Sequence, residues 1–334
     1  MLSYRKLAMR VLGRPLHTEG ISSPHPASQR AAAFILTAAM LTTLAAPAFA
    51  DIWHIEDGDI TVKASGTEGK NTVSQGNKKD VEDTNTIITN RDKNTASSHT
   101  VTIEAGNDKV EVTLKDVNIK ADSGSALTSK GDVTLTLKGD NHLTGGISDN
   151  GNYGLSGISS SGSLTISGGE TDSLTAQGGS GTDGSGGRGI FSKDLTISGG
   201  TVNANGGNGS KSESSDRSNG GRGIDSGSLT VSGGTVTATG GDGCSGSYSD
   251  GGIGISSSSG GVTISGGTVT ATGGKSGSGD YSNGGNGISS SGSLSISGGT
   301  VTATAGSSSG SYGRDGITTS SSLTISGGTV TANG

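Results

Sequence analysis

Four short phrases set a tyrosine next to an acid or amide in glycine-rich sequence: "DNGNYG" at 149–154, "GSYSDGG" at 246–252, "GDYSNGG" at 279–285 and "GSYGRDG" at 310–316. These residue types suit sugar recognition. An aromatic face packs on a pyranose ring, and a carboxylate accepts its hydroxyl protons. On this reading the candidate carbohydrate contacts are Tyr248, Asp250, Asp280, Tyr281, Tyr312 and Asp315, with Tyr153 in a fourth gap between strands. The competing reading is loop composition. Asp, Asn and Ser are turn residues, and a tyrosine can anchor a loop.

A second chemistry is calcium binding. An aspartate stands shortly before each "Gly-Ile": Asp183, Asp216, Asp250, Asp280 and Asp315. The phrase "GGSGTDG" at 178–184 matches the start of the calcium-binding nonapeptide. It departs from that pattern at Ser185, where an apolar residue belongs, and it has no tandem copy. Calcium takes about six to eight oxygen ligands, so Asp183 and Asp216 are the candidate metal residues and calcium the one cofactor considered.

Catalysis is the rival from another class. A glycosidase needs two carboxylates at a fixed separation, and a lyase needs a basic residue beside calcium. Arg188 and Arg222, in identical "GGRGI" phrases, are the available bases. The acids lie on glycine-rich loops, a poor platform for preorganised chemistry, so the sequence favours a non-catalytic protein. Cys244, the only cysteine, sits in glycine-rich sequence with no histidine in its repeat and reads as an incidental thiol.

The elements that position these residues repeat. The cores Leu164–Ile166, Leu195–Ile197, Leu229–Val231, Val262–Ile264, Leu294–Ile296 and Leu323–Ile325 recur at steps of 31, 34, 33, 32 and 29 residues, a solenoid period. Each repeat has three short segments with every second residue apolar. In one copy Ile224, then Leu229 and Val231, then Val236 and Ala238 point inward, with Gly233-Gly234 and Gly240-Gly241 at the corners. Three faces and one variable loop predict an all-β, right-handed parallel β-helix. A propeller blade needs roughly 40 residues or more. The solenoid is expected to include 51–150 as an N-terminal cap with irregular coils, and 151–334 as regular glycine-rich coils. Residues 65–100 read as a long loop or ragged cap, and Trp53 as the closure of the open end. Outward threonines, such as Thr235/Thr237/Thr239, Thr268/Thr270/Thr272 and Thr300/Thr302/Thr304, form a ladder of the kind that can bind ice.

Residues 1–50 read as a signal peptide. Arg5, Lys6, Arg10, Arg14 and Arg30 precede the apolar run 31–50, which ends in Ala48-Phe49-Ala50, so cleavage is expected after Ala50. The leader takes five of the 23 basic residues and one of the 29 acidic ones, leaving 18 against 28 and a net charge of −10. That balance disfavours nucleic acid and anionic lipid as partners, and membrane contact is expected only through the leader. A secreted or cell-surface location follows. The pattern stops midway at "TVTANG", which reads as a truncated C-terminus.

The run "VTLKDVNIKADSGSAL…GDVTLTLKGDNHLTGG", followed by "SLTISGGTVTATGG"-type copies, resembles secreted or surface β-helix repeat proteins of gut and anaerobic bacteria, of carbohydrate-binding and adhesin-like types. It is also similar to right-handed β-helix proteins that bind cellulose or pectin with calcium. The likeness spans roughly 101–334. It implies the β-helix fold and an extracellular polysaccharide or host-surface glycan as partner, but carries over no binding residue. A passive stalk, a polysaccharide-degrading enzyme and an ice-binding solenoid are the alternatives.

Overall fold

The computed structural model describes residues 51–67, 69–210, 217–246, 248–310 and 313–334. The chain is an all-β parallel solenoid. One sheet stacks Ile60–Ala64, Val101–Lys115, Leu127–Lys138, Ile158–Ser167, Ile190–Ile197, Ile224–Val231, Ile255–Ile264, Ile288–Ser290 and Ile317–Thr319 in that order. A second runs from Asn118–Lys120 to Thr329–Asn333. Strand Ile224–Val231 serves two of the three faces, and its register against the next coil shifts between Ser226 and Ser228.

The apolar positions line up one above another. Ile166, Ile197, Val231, Ile264, Ile296 and Ile325 are successive register partners. So are Leu174, Val202, Val236, Val269, Val301 and Val330. From Leu164 to Ala303 these columns are fully buried and belong to one continuous core. A single coil cannot close off its own interior; the coils above and below do so, which is why the phrase must be copied. The corner glycines have a specific job. Gly200, Gly234, Gly267, Gly299 and Gly328 sit at φ 77–82°, a conformation that side chains disfavour.

The segment 65–100 is a correction. It contains the strands Asn71–Gln75, Lys78–Asp83 and Thr86–Thr89. The first two form an antiparallel hairpin extending the main sheet. They turn at Gly76-Asn77, with glycine at φ 54° in the first central position. Val73 is buried by this hairpin. Trp53, also buried, donates from Nε1 to Asp83 Oδ2 at 2.9 Å and lies under the Lys78 ammonium.

Asp172 ties neighbouring corners together. Its carboxylate accepts from the backbone N–H groups of Gly169 at 2.8 Å and Gly139 at 2.9 Å, with Lys138 Nζ at 3.3 Å. These contacts, the two backbone hydrogen bonds foremost, hold its pKa below the usual carboxylate range against the opposing effect of burial. A depressed carboxyl stabilises the fold above its unfolded pKa of about 3.9, and that stability is lost as pH falls through the lower folded value. The urea midpoint is therefore expected to drop as pH falls below about 5. Asp172→Asn should flatten part of this drop, and an identical pH profile in the variant would contradict the role.

Candidate functional site

The long loops are not slack. Four of them leave the coil through one pair of glycines (178–179, 206–207, 240–241 and 273–274) and return through another (186–187, 220–221, 251–252 and 284–285), and the two rows hydrogen-bond to each other up the stack. Gly207 N donates to Gly187 O, Gly221 N to Gly207 O, Gly241 N to Gly221 O, Gly252 N to Gly241 O, Gly274 N to Gly252 O and Gly285 N to Gly274 O, each at 2.8 Å. Within each row successive coils stack so closely that a Cβ on Gly241, Gly252, Gly274 or Gly285 would lie 1.8–2.0 Å from the carbonyl oxygen of the equivalent glycine in the coil before it. None of these four is at positive φ. Glycine is required there by close approach, not by turn conformation, which corrects the corner role expected for Gly240-Gly241.

Inside this second layer runs a column of small polar residues. Ser218, Ser249 and Ser282 are fully buried, with Ser218 N donating to Ser249 Oγ and Ser249 N to Ser282 Oγ. Cys244 is buried against them, its Sγ 3.1 Å from Ser249 Oγ. It is a packed thiol, not one in slack sequence.

On the outside of the layer stand the tyrosines. Tyr248 and Tyr281 stack with ring centroids 5.3 Å apart and planes 12° from parallel. The Arg217 guanidinium, from the preceding coil, lies 5.0 Å from the Tyr248 ring centre. A sugar ring cannot enter a stack this tight. Tyr281, 67% exposed, offers the larger platform, and Tyr248 is 43% exposed. Tyr153 lies apart from this pair, its ring beside Gly184. Tyr312 and Asp216 lie outside the described residues.

The acids separate by role. Asp250 Oδ1 accepts from the Asn283 backbone N–H at 2.7 Å, and Asp250 N donates to Asn219 Oδ1 at 2.8 Å. Asn219, Asp250 and Asn283 are thus one ladder in which a side-chain oxygen bonds the backbone of an adjacent coil. Asp250 Oδ2 faces Arg314 at 4.0 Å, beyond hydrogen-bond range. Asp280 and Asp315 are exposed, and Asp315 N donates to Asn286 Oδ1 at 3.1 Å. Asp183 is half-buried, with its backbone N bonded to Asn152 O. Among the described residues no three His, Cys, Asp or Glu side chains converge as a metal-binding group. The repeat signature of the ladder is "SNGG", "SDGG", "SNGG" at 218–221, 249–252 and 282–285. At 219 and 250 the bond to the next coil uses a side-chain acceptor oxygen, which Asn and Asp both supply, and Asn283 Nδ2 also donates to Asp250 Oδ1 at 3.3 Å.

The two arginines considered as bases are both engaged with one acid. Buried Asp225 Oδ2 accepts from Arg222 Nη1 at 2.9 Å and from Arg188 Nε. Arg188 also covers the Phe191 ring at 5.0 Å.

A family model described as a beta helix repeat matches residues 195–210, 229–257, 294–314 and 323–334. This likeness agrees with the coils seen here. Neither a curated protein nor a solved structure matches the chain.

Proposed function

We propose that the chain is a secreted or surface-attached, non-catalytic glycan-binding solenoid, exported by the leader 1–50 and using the loop layer as its adhesive edge. The observation that carries this reading is the Tyr248–Tyr281 stack, with Tyr281 two-thirds exposed on a hydrogen-bonded glycine scaffold. A rigid aromatic platform loses little entropy when it packs on a sugar. Asp280, next to Tyr281 and exposed, supplies an acceptor for sugar hydroxyls. Arg188 and Arg222, both paired with Asp225, are poorly suited to act as free bases.

The test is a glycan array and an insoluble-polysaccharide pull-down with residues 51–334, with and without calcium. An aromatic contact of about 0.5–1.5 kcal/mol predicts that Tyr281→Ala weakens retention by roughly 2- to 13-fold. Tyr153→Ala, at the ring set apart from the pair, should leave retention unchanged. Failure to bind any glycan under either condition would favour the passive-stalk reading. Release of reducing ends or unsaturated products would favour an enzyme.

A further inference from the structure

The face opposite in character to the loop layer is the second sheet. Thr235, Thr237 and Thr239 pair in register with Thr268, Thr270 and Thr272, and these with Thr300, Thr302 and Thr304. The inward residues between them, such as Val236 and Ala238, are fully buried, so the threonines all project from one side. Thr201, Asn203 and Asn205 flank the array on one edge, and Thr329, Thr331 and Asn333 on the other. From Thr201 to Asn333 this face carries no charged outward residue.

Strand propensity and solubility alone do not account for that purity. Earlier strands of the same sheet put Lys120, Asp140 and His142 on the outer side. On the first face of the regular coils the exposed outward residues include Phe191 and Lys193, while Asp225, the register partner of Phe191, lies buried beneath two arginines. The fold thus accepts charge and aromatics outside, yet these coils hold one face to a single residue type. Threonine there is stiff, because branching at Cβ restricts its rotamers, and its strand is held by a hydrogen-bonded neighbour on each side. The result is a fixed grid of methyl and hydroxyl groups, about 4.7–4.9 Å apart across strands and about 6.6 Å apart along them.

We infer that this face binds ice. The oxygen rows on the faces of hexagonal ice repeat at closely comparable intervals in two directions. An uncharged, rigid grid can hold its own surface water in matching order. A charged side chain would instead impose its own hydration shell. The inference is independent of the tyrosine site, which lies on the loop layer.

Ice recrystallisation inhibition and thermal hysteresis of residues 51–334 test it. The expected result is ice shaping by the parent protein and loss of most of that activity in Thr270→Lys, at the centre of the grid. Thr270→Val keeps shape and strand propensity while removing the hydroxyl, so it guards against misfolding of the lysine variant; it should reduce activity measurably with an unchanged circular dichroism spectrum. Tyr281→Ala should retain full ice activity while its glycan retention weakens. No ice shaping by the folded parent, or equal activity in folded Thr270→Lys, would overturn the assignment.

Discussion

Gly252→Ala is expected to lower the unfolding free energy by about 3 kcal/mol or more, at the upper end of what an added methyl costs in a packed interior. The Cβ would sit 1.8 Å from Gly221 O and 2.6 Å from Gly221 C. Neither side can yield cheaply. Gly221 O is held by Gly241 N, and Gly252 N is bonded to Gly241 O, each at 2.8 Å. Making room means separating successive coils of the glycine layer and breaking several such bonds together. An opposing effect exists: alanine restricts the unfolded chain and contributes about 0.4–1 kcal/mol of stability where its conformation is allowed. That is too small to offset the clash. Gly313→Ala is the comparison, because a Cβ there meets nothing within 4 Å; it should stay within about 0.5 kcal/mol of the parent. The readout is the urea midpoint of both variants. Equal midpoints would mean that the loop layer is slack and the tyrosine platform unsupported.

The β-columns were legible because they are written in side chains. Leucine, isoleucine, valine and alanine at alternating positions report burial directly, and the 29–34-residue steps place the cores in the register observed. Two features were harder to read, for physical reasons. The hairpin in 65–100 is short and polar on its outer side, and its signal is the two-residue turn "QGNK" at 75–78. The glycine layer has no side chains to report burial. Glycine selected for close packing looks the same in sequence as glycine selected for a turn, so Gly240-Gly241 and Gly233-Gly234 invite one explanation where the structure has two. The pairing of Tyr248 with Tyr281 follows from their equivalent places, each two residues before the Asp or Asn of the ladder. The same equivalence makes Asp250 a ladder acceptor through Oδ1, with Oδ2 facing Arg314.

Asn141→Leu separates column filling from polar satisfaction. Asn141 occupies the column of Leu174, Val202 and Val236, so matching the repeat would favour an aliphatic residue there. It is fully buried, which normally strengthens that case. Yet its Oδ1 accepts from Val117 N at 3.0 Å, and its Nδ2 donates to Ser173 O at 3.0 Å and Lys138 O at 3.2 Å. The amide thus ties three successive coils together where the irregular coils meet the regular ones. Leucine would gain about 1.5–3 kcal/mol from apolar burial. It would strand the Val117 N–H and weaken the bonding of two carbonyls, at about 1–3 kcal/mol for each group left without a partner. The stranded N–H and the two weakened carbonyls together offset that gain, so the repeat-matching substitution is not expected to stabilise the chain. Denaturation of the two proteins at neutral pH decides the sign. A more stable leucine variant would show that the aliphatic column, not the hydrogen bonds at its first coil, sets how the regular stack begins.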